Sequence, residues 1–72
     1  MTQEHFEKVA KCYEGRATLK KDCYGIDAFA NDGEYLTGVR NTSDLSMKAL
    51  KGFVDSALRS KELRDRIKNS NN

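Results

Sequence analysis

Seventy-two residues carrying a net charge of +2, with 38% hydrophobic and 33% charged side chains, define one small globular chain rather than a disordered one. A chain of this length buries only about 60% of the surface its unfolded form exposes, so a second core is excluded and a marginal or oligomeric fold is expected. The N-terminal stretch is charged and periodic, which is not a secretory pattern, and no run of about 18 apolar residues occurs; the expected location is therefore cytoplasmic, with no membrane partner. In that reducing setting Cys12 and Cys23, which lack CxxC spacing, are expected as thiols; a Cys12–Cys23 bridge is the alternative for a secreted chain.

The first predicted element is a helix. Phe6, Val9, Ala10 and Tyr13 recur at helical spacing, Thr2 stands as N-cap, Glu4/Lys8 and Glu7/Lys11 form i,i+4 pairs, and Gly15 marks the stop. An apolar stripe of this kind normally faces a core, and that is the reading adopted for Phe6 and Tyr13.

From Arg16 to Arg40 the helical period gives way to strand signals. Tyr24, Ile26, Ala28 and Ala30 alternate before Asn31-Asp32-Gly33, and Tyr35, Leu36, Thr37 and Val39 follow it, which predicts an antiparallel hairpin. The stretch RATLKK is a candidate for a preceding third strand, joined through a turn near Lys21 and Asp22. Two hairpin registers compete. A two-residue Asp32-Gly33 loop sets Phe29 opposite Leu36 and Ile26 opposite Val39; a three-residue Asn31-Asp32-Gly33 loop sets Phe29 opposite Tyr35. The second is preferred, because it gathers Ile26, Ala28, Ala30 and Leu36 on the helix-facing side and leaves Phe29 and Tyr35 as an aromatic pair on an open face.

A second helix is expected from Ser46, with Leu45 and Leu50 as a hydrophobic staple and Leu50, Phe53, Val54, Ala57 and Leu58 as its stripe; Ser43 and Asp44 offer a start one turn earlier. Gly52 inside this helix suggests either close approach to the sheet, the preferred reading, or mere tolerance. Ser60 is a further possible N-cap, so that Leu63 and Ile67 belong either to a separate short helix or to a continuation. The expected fold class is α+β: an N-terminal helix, an antiparallel hairpin or three-stranded meander, and one or two C-terminal helices on one sheet face. Residues 1–69 form the expected single domain and residues 70–72 a frayed tail.

Tests for chemistry are mostly negative. If Gly33 is the sixth position of a calcium loop, Ala28, Ala30 and Val39 stand where oxygen ligands are required, so Asp27, Asn31, Asp32 and Glu34 read as hairpin-tip residues rather than ligands. His5 and Cys12 lie seven residues apart without an orienting carboxylate or amide, and two Cys with one His fall short of a zinc tetrad. Phosphate-loop and hydrolase motifs are absent from the sequence. The expectation is a non-enzyme without metal or cofactor.

Charge is asymmetric along the chain: residues 1–45 hold six Lys/Arg against eight Asp/Glu, residues 46–72 seven against three. The leading expectation is a small protein that binds and modulates a larger protein partner through Phe29 and Tyr35 or through a helix stripe left unburied by so small a core. Its size matches accessory and inhibitor proteins of bacteriophages and mobile elements. The alternative is nucleic-acid binding by Lys48, Lys51, Arg59, Lys61, Arg64 and Lys68 on the basic C-terminal segment, diluted by Asp55, Glu62 and Asp65. A homodimer is compatible with either.

Overall fold

The computed structural model describes residues 1–70, without the side chain of Ser70. Its elements in chain order are α1 (Gln3–Cys12), β1 (Ala17–Asp22), β2 (Gly25–Ala30), β3 (Tyr35–Val39) and α2 (Met47–Ser70). The strands form one antiparallel sheet in the order β1-β2-β3. The stretch RATLKK thus supplies a third strand from Ala17 onward, and the α+β class stands.

Helix α1 begins where the sequence places it: the Thr2 hydroxyl accepts the His5 backbone N–H at 3.1 Å, satisfying one of the donors left over at a helix start. Beyond its end Gly15 adopts φ +85°, a conformation that other residues reach only with strain. Phe6, Val9 and Tyr13 are buried, and Glu4 pairs with Lys8 at 3.7 Å, whereas the Glu7 carboxylate accepts from Gln3.

The turn from β1 to β2 lies at Cys23-Tyr24, not at Lys21 and Asp22. The Asp22 carboxylate accepts the backbone N–H groups of Tyr24 at 2.8 Å and Gly25 at 3.1 Å, a local bond set that Asp offers and that fixes the reversal. Tyr24, expected as the first strand residue, is therefore a loop residue and exposed. Gly25 has φ +150° and is buried; a Cβ there would overlap the Val39 carbonyl oxygen.

The hairpin between β2 and β3 uses both competing registers. At the tip Gly33 donates to the Ala30 carbonyl at 3.0 Å, Ala30 donates to the Glu34 carbonyl at 2.8 Å, and Phe29 pairs with Tyr35, as a three-residue loop requires; Gly33 has φ +90°. Farther down, Ala28 pairs with Thr37, Asp27 with Gly38 and Ile26 with Val39, the register of the two-residue loop. Leu36 is the extra residue of the resulting β-bulge. It packs on the core together with Val39, while Tyr35 stays on the opposite face.

α2 is one continuous helix. The Ser46 hydroxyl caps it by accepting the Ala49 backbone N–H at 3.0 Å, which excludes starts at Ser43 or Asp44, and Ser60 caps nothing because it lies mid-helix. The helix includes Ser70, one residue into the expected tail; positions 71 and 72 lie outside the described residues. Leu50 and Val54 are its buried anchors, with Met47 and Leu58 packed beside them. Two expectations fail. Phe53 turns away from the core and is exposed, and Gly52 has open space where a Cβ would stand, so its place in the helix reflects tolerance rather than close approach to the sheet.

The core thus lies between one sheet face, with Ala17, Leu19, Ile26 and Ala28, and the two helices. One polar tie crosses it. The Tyr13 hydroxyl lies 2.6 Å from an Asp55 carboxylate oxygen and 3.0 Å from the Lys51 carbonyl, donating its single proton to acceptors on α2. Burial first, and then this bond to Asp55, push the Tyr13 pKa up to about 12.

Two outcomes follow. Since folded Tyr13 keeps its proton where the unfolded side chain loses it, the tie stabilises fully below pH ~10 and fades as pH rises toward about 12. Tyr13→Phe should cost about 1–3 kcal/mol at neutral pH and flatten that part of the alkaline melting profile relative to the wild type; an unchanged profile would show that the bond contributes nothing. Gly25→Ala should cost at least about 2 kcal/mol in denaturant unfolding, because it combines backbone strain with overlap against β3.

Candidate binding face and charged hairpin tip

All packing elements lie on one side of the sheet, which leaves the other side as an open face. Strand alternation decides what that face displays. The register aligns Thr18, Phe29 and Tyr35 in one row and Lys20, Asp27 and Gly38 in the next. The Phe29 and Tyr35 rings meet edge to face, with centroids 5.6 Å apart and planes at 73°, the arrangement favoured by the ring quadrupoles. Phe29 is half-buried and Tyr35 about half exposed.

Charged side chains hold this pair in place. The Lys20 ammonium stands 5.5 Å from the Phe29 ring centroid, within cation–π range. Tyr35 lies over Gly38, where a Cβ would collide with its hydroxyl oxygen, so the glycine serves as the seat of the ring. At the end of that seat the Tyr35 hydroxyl makes a long 3.4 Å bond to Asp27, whose same oxygen accepts from the Arg40 guanidinium at 2.9 Å. The hydrogen bond to Asp27 raises the Arg40 pKa further.

The pair Phe29/Tyr35 is therefore brought together, as the sequence suggests. What sequence reasoning missed is its frame of Lys20, Asp27, Gly38 and Arg40. Gly38 carries a usable signal, since an isolated glycine within a strand marks a bulge or a close approach; the others depend on register, which only the bulge fixes.

The six cations of the nucleic-acid alternative do not form one surface. Lys61 reaches from α2 to the hairpin tip, 3.0 Å from Asp32 and 3.8 Å from Glu34, and pairs along its own helix with Asp65 at 3.2 Å; its side chain is only 15% exposed. Arg64 donates to Glu34 at 2.9 Å. The hydrogen bond that Lys61 donates to Asp32 raises the Lys61 pKa, and the Glu34 backbone N–H followed by Lys61 lowers that of Asp32. Lys48, Arg59 and Lys68 are exposed and Lys51 is half-buried, and helical spacing sets Lys48, Lys51 and Arg59 on one side of α2 and Lys68 on the opposite side. Asp55, one of the carboxylates interspersed among these cations, accepts from the Tyr13 hydroxyl.

The acidic tip thus meets cations of its own chain. Among the described residues no three His, Cys, Asp or Glu side chains converge as a metal cage. His5 and Cys12 are both exposed, with no side-chain bond between them, and Cys23 is a second exposed free thiol. No helix among the described residues is long and apolar enough to cross a membrane. Comparison with models of known protein families, with curated proteins and with solved structures finds no match.

The tip contacts tie the distal part of α2, which lacks core partners, to the sheet. Asp32→Asn combined with Glu34→Gln should therefore raise amide hydrogen exchange in residues 61–69 while leaving residues around Val54 protected. In the wild type the same loosening should appear only as pH falls through the lowered Asp32 pKa, below the ordinary carboxylate range. Equal exchange in both proteins would mean that these ion pairs do not hold the helix.

Proposed function

We propose that this chain is a small non-enzymatic binding protein that modulates or inhibits a larger protein partner through the open sheet face centred on Phe29 and Tyr35. The carrying observation is the edge-to-face aromatic pair on a face that no other described element covers. Aromatic anchors supply much of the energy of protein interfaces, while the nearby Lys20, Asp27 and Arg40 offer charges of both signs for orientation. A mixed-sign frame suits a protein surface better than a phosphate backbone, which favours uniformly positive contacts. The employment of Lys61 and Arg64 at the hairpin tip further weakens the case for nucleic acid.

The test compares the wild type with Phe29→Ser/Tyr35→Ser as baits in an affinity capture from the native host, with mass spectrometry and a nuclease-treated control. The double variant should lose about 1–2 kcal/mol of stability, remain folded, and fail to retain a protein that the wild type retains after nuclease treatment. Unfolding of the variant would show the rings to be structural; retention of the same protein by both baits would remove the sheet face from the interface.

A further inference from the structure

A second surface lies on α2, away from both the sheet and α1. Ala49, Phe53, Ser56, Ser60, Leu63 and Ile67 follow one another at alternating steps of four and three, the spacing of a helix-pairing seam. All are exposed, and the seam holds three of the five exposed large hydrophobic residues among those described: Phe53 at 48%, Leu63 at 50% and Ile67 at 61%. The core stripe through Leu50, Val54 and Leu58 occupies a different side of the helix. α2 is thus apolar on two faces, of which the fold buries one.

Charge identifies what suits the other. Cations flank the seam on both sides, Arg59 and Arg66 along one edge and Lys68 along the other, where Arg64 also stands but already donates to Glu34 at 2.9 Å, while Asp55, Glu62 and Asp65 lie toward the opposite half of the helix. A second copy is ill matched: parallel pairing sets Arg59 against Arg64 of its neighbour, and antiparallel pairing centred on the two serines sets Arg59 against Arg59. A phosphate backbone would meet Phe53, Leu63 and Ile67 at the centre of its contact. We infer that this seam docks an amphipathic helix whose apolar stripe is bordered by Asp or Glu, with Ser56 and Ser60 at the point of closest approach. The inference is independent of the sheet face and places a second protein contact on the same chain.

The probes are two synthetic four-heptad peptides with the same Leu/Ala seam, one bordered by Glu and the other by Lys, titrated against the full chain by fluorescence anisotropy at low salt. The Glu-bordered peptide should bind at least about tenfold more tightly, and added salt should shrink that margin. Leu63→Ser/Ile67→Ser, which alters only exposed positions, should abolish binding with unchanged circular dichroism, and Arg59→Glu/Lys68→Glu should reverse the preference. Phe29→Ser/Tyr35→Ser should leave peptide binding intact, which separates this surface from the sheet face. Equal affinity for the two peptides, or none for either, overturns the inference. So does a dimer in sedimentation that Leu63→Ser dissolves, or tighter binding of an oligonucleotide than of the Glu-bordered peptide.

Discussion

One inserted residue governs the arrangement of the sheet. A strand alternates strictly, so a hairpin held in a single register forces a choice between a favourable tip and a favourable base. At the tip, Gly33 closes a three-residue loop and Phe29 faces Tyr35; at the base, Ile26 faces Val39. The bulge at Leu36 satisfies both, because the added residue restores the phase between them. Without it, either Leu36 and Val39 could not both join the core, or Tyr35 would leave its partner ring.

The same hairpin fixes the long helix. Its tip carries Asp32 and Glu34 to where Lys61 and Arg64 emerge from α2, so a turn specified by backbone geometry also supplies the tertiary contacts of a helix segment beyond the core. Exposed ion pairs usually contribute little individually. Here Asp32, Glu34 and Asp65 converge on one largely covered lysine, and together they hold the distal helix against the hairpin tip.

Local signals were legible wherever they acted over a few residues. Thr2 and Ser46 were readable as caps, Gly15 as a stop, and Asn31-Asp32-Gly33 as a turn, because each acts on backbone groups within one turn of itself. The aromatic pair was legible too, through the preferred loop. Less legible was anything that required two elements to meet. Phe53 was assigned to the core because the stripe is broad and a sequence cannot show where the sheet ends; the pairing of Lys61 with Asp32 spans 29 residues. The bulge escaped because two registers, weighed as alternatives, coexist in one hairpin. Ser60 misled for a simpler reason: a capping residue in mid-helix is indistinguishable by type from one at an end.

The seat that Gly38 provides for Tyr35 bears on the entropy of recognition. An exposed tyrosine ordinarily samples several rotamers, and a partner that captures it must suppress that freedom. Here the ring is confined by folding itself, lying on a residue without a side chain, with Phe29 at its edge and Asp27 at its hydroxyl. Much of the ring's ordering is complete on folding, so in the proposed role a partner would lose little affinity to restricting Tyr35, and a surface needing that ring in another position would first have to dislodge it.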